Sequence, residues 1–113
     1  MTVTTPCMWR VYLHRHAAGE LPPYASPIHR ADVTGLPRAY IETAEFDPLH
    51  DEGVAYAKRL AEAGVDVTLN ETRGTVHGFD AVVPSAAGND AIHRRIEFLE
   101  KCFALTGQAD AIA

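Results

Sequence analysis

The stretch from Pro37 to Asn70 constrains this chain most, because its hydrophobic period changes twice within a short span. Pro37 to Thr43 (PRAYIET) carries β-type residues behind a Gly and Pro boundary. Asp51 to Ala63 (DEGVAYAKRLAEA) is Ala-rich and sets Val54, Ala57, Leu60 and Ala61 on one face. Gly64 follows as a helix-ending residue, and Val65, Val67 and Leu69 then alternate with Asp66, Thr68 and Asn70. The pattern predicts strand, helix, strand. A unit of this size joins two parallel strands through a right-handed crossover. The polar alternate positions of the second strand predict that it lies at a sheet edge.

The flanks fill in the architecture. Thr5 before Pro6 is an N-cap and first-turn signature, and Trp9, Tyr12 and Leu13 recur at helical spacing, predicting a short helix from about Pro6 to His14. Ala17 to Gly35 is rich in Pro, Gly and small polar residues and predicts a long ordered loop, with Pro22, Pro23 and Pro27 excluding a helix. Asn89 or Asp90 is expected to cap a last helix whose apolar stripe is Ile92, Ile96, Leu99 and Phe103, and the tail beyond Gly107 is expected to fray. The fold class is therefore α/β: a short helix and a long loop, then strand, helix, strand, loop and helix. Two parallel strands are too few for a self-sufficient sheet, since such sheets are covered on both faces and extended laterally. Part of the sheet is expected to be missing or supplied by a partner.

Composition bounds the partners. The chain has 113 residues, read as one domain that buries roughly 65% of its unfolded surface. With 47% apolar and 22% charged residues and a net charge of -5, it is a globular chain with no basic run to track a phosphate backbone. Nucleic acid is excluded as a partner. No apolar stretch approaches the ~18 residues of a membrane span and Met1 to Trp9 lacks signal-peptide character, so a cytoplasmic location is expected. Cys7 and Cys102 show no metal-type spacing and read as two thiols in a reducing compartment.

The chemistry lies in two turns. Asp47 follows the first strand and His77 the second, so parallel strands bring both out at the carboxyl rim, where open α/β sheets place ligands. An Asp there can orient an imidazole as a general base. An Asp before Pro also serves as a turn-former and a loop His as a satisfied structural residue, so topology alone leaves both readings open. The surrounding residues tip the balance: EFDPLHDEGVAY (Glu45 to Tyr56) and GTVHGFD (Gly74 to Asp80) closely resemble the hormone-sensitive-lipase-like esterases, the fold-3 group of the α/β-hydrolase superfamily. The resemblance takes in YASP (Tyr24 to Pro27) and GLPRAYI (Gly35 to Ile41) and covers about Trp9 to Leu105. It implies a partial α/β-hydrolase fold with Asp47 as triad acid and His77 as general base, and no metal or organic cofactor. Asp51 and Glu52 read as helix N-terminal residues that favour the dipole. Gly78 and Phe79 have two readings, a turn that screens the imidazole or a core anchor.

A triad also needs a nucleophile on a GxSxG elbow and an oxyanion hole of the HGGG type. Neither motif occurs in this sequence. Ser26 and Ser85 lie in loops beside prolines, and Cys7 and Cys102 have no neighbouring base, so none of the four reads as the attacking group. His14 with His16 has a spacing that can present two imidazoles on one strand face, but no further ligand accompanies them and a helix end explains them. Two functional expectations follow. The chain is the C-terminal portion of a carboxylic-ester hydrolase completed by an N-terminal portion, or it is an inactive module that self-associates or pairs with a separate polypeptide.

Overall fold

The computed structural model describes residues 4–14, 22, 24–82 and 84–112. Its elements are α1 (Thr4–Tyr12), a 3-10 turn (Pro27–His29), β1 (Ala39–Ala44), α2 (His50–Glu62), β2 (Val67–Thr72), α3 (Phe79–Val82) and α4 (Ala86–Ile112). β1 and β2 pair in parallel, with Ala39 opposite Val67 and Ala44 opposite Thr72. The strand–helix–strand unit predicted from the changing period is thus present.

Each strand starts two residues later than its composition suggests, for local reasons. Pro37 has no N–H to give the ladder, which opens where Ala39 N–H donates to Asp66 O at 2.9 Å. Val65 is drawn out of β2 by the end of α2. Gly64 sits at φ 83°, its N–H donates to Ala61 O and that of Val65 donates to Leu60 O, both at 3.0 Å. This pair of bonds is a Schellman closure, whose hydrophobic partners are the residues flanking it. Leu60 and Val65 are accordingly buried together with Val33.

That core lies between α2 and one face of the sheet. Leu36, Ala39, Ile41, Tyr56, Ala63 and Val67 pack against it, so the face of β1 with Ala39 and Ile41 is apolar. The predicted long loop contains the 3-10 turn and supplies Val33, and Leu36 follows directly after it. Pro27 opens that turn, a position where its fixed φ is favourable and its missing N–H costs nothing. The guanidinium of Arg59, in the last turn of α2, donates to the carbonyls of Ile28, Arg30 and Ala31 and holds this segment on the helix.

The opposite face differs from expectation. Tyr40 and Glu42 of β1 meet Phe98 and Arg95 of α4 there, so α4 buries the side of Ala91, Arg95, Phe98 and Cys102. The apolar stripe of Ile92, Ile96, Leu99 and Phe103 is exposed instead. Hydrophobic periodicity picks the wrong side because the sheet offers α4 a polar face, and the apolar stripe has no surface to meet among the described residues. The start of α4 also moves. Ser85, not Asn89 or Asp90, is its N-cap: Gly88 N–H donates to Ser85 Oγ and Asn89 N–H to Ser85 O, both at 3.0 Å. The helix runs on to Ile112 rather than ending near Gly107. The single turn α3 has no counterpart in the periodicity.

Close approach of α2 to the sheet depends on Gly53, where an added Cβ would lie 2.8 Å from Thr43 Cγ2. Thr43 is buried and β-branched, so its methyl has no free rotamer to retreat to. Gly53→Ala gains about 1 kcal/mol of helix propensity but incurs overpacking of about 1–3 kcal/mol. The variant is expected to lower the urea midpoint, and adding Thr43→Ser, which removes the methyl, is expected to restore it.

Candidate active site

Asp47 and His77 occupy turns that leave the carboxyl ends of the two parallel strands, and the structure brings them together. Asp47 Oδ2 lies 2.7 Å from His77 Nδ1. An ionised carboxylate only accepts, so the proton of this bond sits on Nδ1 and Nε2 faces away from the acid. The acid side chain is only 13% exposed, whereas the imidazole is 73% exposed.

The first turn fixes Asp47 locally. Its N–H donates to Ala44 O at 3.1 Å, its carbonyl accepts from His50 N–H at 3.0 Å, and Oδ1 accepts from Leu49 N–H at 2.8 Å. Oδ1 is therefore committed to the backbone and Oδ2 is left to orient the imidazole. Burial acts to raise the Asp47 carboxyl. The Leu49 N–H, the His77 hydrogen bond and the charges of His77 and His50 outweigh it, so the group lies below its ordinary value.

The second turn is tied to the first through hydroxyls. Thr72 Oγ1 donates to Thr43 O at 2.7 Å and lies 2.6 Å from Thr75 Oγ1. Thr75 is buried, its carbonyl accepts from Phe46 N–H at 3.0 Å, and its hydroxyl accepts from Glu45 N–H at 3.4 Å. Gly74 N–H donates to the Glu45 carboxylate. Gly78, directly after His77, adopts φ 72°, so the turn reading of this glycine describes the structure, while Phe79 opens α3 and is half-buried. Sequence reasoning missed Thr72 and Thr75. Their only signal is a pair of threonines three apart at the end of a strand, with hydroxyls well placed to replace ladder partners.

His50 is a further residue not singled out from the sequence. It opens α2, with Nδ1 2.9 Å from Asp51 Oδ1 and Nε2 3.4 Å from Glu71 Oε1. The bond to Asp51 leads a set of acidic influences that raise its pKa. Asp51 and Glu52 stand in the first turn of α2, where the dipole favours them.

The four nucleophile candidates set aside earlier lie elsewhere. Ser26 is buried with its hydroxyl 2.6 Å from His29 Nδ1, in the segment held by the last turn of α2, toward the amino end of the sheet. Ser85 caps α4. Cys7 is exposed on α1, and no disulfide joins it to Cys102. Among the described residues no three His, Cys, Asp or Glu side chains group as metal ligands. His14 instead places Nδ1 3.1 Å from Val11 O at the end of α1, and His16 lies outside the described residues. No described helix is long and apolar enough to cross a membrane.

The described fold is thus a parallel strand–helix–strand unit with a carboxylate–imidazole pair at its carboxyl rim. The family model for the α/β-hydrolase fold matches residues 2–81, and the chain belongs to that family. Over 60 residues it is 53% identical to carboxylesterase NlhH of Mycobacterium tuberculosis, covering 50% of this chain and 19% of the relative. Over 99 residues it is 33% identical to arylacetamide deacetylase of Bos taurus, covering 86% of this chain and 25% of the relative. Among solved structures, esterase LipW of Mycobacterium marinum superposes with a TM-score of 0.80 at 33% identity, over 86% of this chain and 30% of that one. The chain thus spans about a fifth to a quarter of the length of these two relatives.

The depressed Asp47 carboxyl carries a stability consequence of definite sign. Its contribution is complete above the unfolded value of about 3.9 and is lost as the pH falls through the lower folded value. Asp47→Asn is therefore expected to lower the urea midpoint at pH 7, and the two midpoints are expected to converge as the pH drops well below that of an ordinary carboxyl. A gap that stays constant down to acid denaturation would show that the Asp47 charge is not the source of the effect.

Proposed function

We propose that this chain supplies the acid and the general base of a carboxylic-ester hydrolase, Asp47 and His77, to a serine nucleophile and oxyanion hole carried outside these 113 residues. The observation that carries the reading is the 2.7 Å contact of Asp47 Oδ2 with His77 Nδ1, with the far edge of the imidazole open to solvent. The names of the relatives, a carboxylesterase and an arylacetamide deacetylase, support ester or amide carbonyls as substrates.

In this reading, His77 Nε2 takes the serine proton as the serine oxygen attacks the carbonyl carbon. Asp47 holds the tautomer that leaves Nε2 unprotonated and stabilises the imidazolium that forms. The imidazolium returns its proton to the departing alcohol, leaving an acyl-enzyme. Water then attacks that ester with the same base, and the carboxylic acid leaves. No metal or organic cofactor enters these steps.

A second reading, a non-catalytic module that self-associates or pairs with a separate polypeptide, is favoured by the exposed stripe of Ile92, Ile96, Leu99 and Phe103 and by a sheet of two strands among the described residues. A p-nitrophenyl acetate assay separates the two readings. The purified chain is expected to be inert alone and to gain activity when mixed with the nucleophile-bearing segment of a related esterase. His77→Ala in the mixture is expected to lower that activity by more than about 10³-fold. Activity of the isolated chain that vanishes with His77 would refute an external nucleophile, and an inert mixture of folded partners would favour the module.

A further inference from the structure

The sheet face opposite α2 holds a polar cluster that the ester chemistry does not touch. Glu42 of β1 is 11% exposed on its side chain. Its Oε2 accepts from Tyr40 Oη at 3.0 Å and from Asn70 Nδ2 at 3.4 Å, while Oε1 accepts from Arg95 of α4. The other terminal nitrogen of the same guanidinium donates to Asp80 Oδ2 of α3 at 2.6 Å. One planar group therefore bridges two carboxylates from two elements. Both partners raise the pKa of Arg95, and Arg95 is the leading influence that lowers that of Asp80.

Such a half-buried cluster is a poor source of stability, since solvent screens its attraction and its desolvation offsets much of the gain. What a planar fork supplies is a fixed spacing between the groups it holds. Here one of those groups is Asp80, three residues after His77. α3 is one turn long, and a single turn does not sustain itself in water. The turn bearing the base is thus held at two points: through Thr75 to the Asp47 turn, and through Asp80 and Arg95 to Glu42 in β1.

We propose that Arg95 is a positioning residue for His77, bracing α3 against β1 so that the imidazole presents Nδ1 to Asp47. This rests on the Asp47–His77 reading above, and it concerns the geometry of the base, independent of which ester is cleaved.

The readout is the tautomer of His77 in the full chain, measured by long-range ¹H–¹⁵N correlation above about pH 8, where imidazoles are neutral. The parent chain is expected to hold His77 with the proton on Nδ1. Asp80→Ala cuts the tether yet leaves Glu42 paired with Arg95, and is expected to shift His77 toward the Nε2–H form that unconstrained imidazole prefers. Arg94→Ala breaks only an exposed pair with Asp90 on α4 and is expected to leave the tautomer unchanged. Circular dichroism and urea midpoints confirm that each chain is folded. Arg95→Gln is expected to act as Asp80→Ala does, but it strands Glu42, so the Asp80 variant decides if that chain unfolds. A folded Asp80→Ala chain that keeps the Nδ1–H tautomer overturns this inference and leaves the proposed function standing. A parent chain with His77 in the Nε2–H form overturns the Asp47–His77 reading and this inference with it.

Discussion

The parallel pairing of β1 with β2 is the constraint on which everything else in this chain rests. An antiparallel pair would send the two following turns to opposite ends of the sheet. A parallel pair must send both to one rim, and the crossover helix α2 restores the chain to its starting edge to make that possible. In-register pairing from Ala39–Val67 to Ala44–Thr72 then leaves both turns at the same height. Asp47 and His77 meet because hydrogen-bond geometry in the sheet aligns their strands, and the closeness of the side chains is a consequence of that alignment.

Alignment alone does not give a hydrogen bond at 2.7 Å, which needs two turns of fixed shape. The rim obtains this from polar groups. Thr72 and Thr75 use their hydroxyls to occupy backbone groups that the ladder leaves behind, and Glu45 and Phe46 donate across to Thr75. Such bonds are directional where apolar contacts are not. Around the pair the exposed residues Phe46, Leu49 and Val76 leave little apolar packing to hold the turns, so the polar stitching carries the geometry.

The sequence makes legible those features that depend on local period and on short turn chemistry. The strand–helix–strand order follows from the changing period between Pro37 and Asn70, and the common rim of Asp47 and His77 follows from their place after each strand, while only the resemblance of the flanking motifs singles them out. Contacts between elements distant in sequence are a different matter. Nothing in the spacing of α4 says that Arg95 turns inward while Ile96 turns out, because that choice depends on Glu42 and Tyr40 making the facing sheet polar. Val65 reads as strand until the Schellman closure claims it, and Ser85 reads as a loop residue until α4 begins beside it. In each case a tertiary or capping bond outweighed a one-dimensional pattern by a margin that the pattern does not contain.

The two members of the pair stand in different states of completion. Asp47 has both carboxylate oxygens engaged and its side chain largely buried, all by groups of this chain. His77 has one nitrogen engaged and the rest of its ring open. In the proposed mechanism the acid needs nothing more to orient the imidazole, whereas the base acts only once a proton donor is brought to its free nitrogen. The apolar stripe of α4 is exposed in the same chain, so the free edge of the imidazole and one face of α4 are both open surfaces among the described residues. Asp47 is satisfied and His77 is oriented by groups of this chain, while the proton donor of the proposed mechanism would come from outside it. That asymmetry is what a division of labour within one active site would leave, with acid and base organised on one segment and the nucleophile on another.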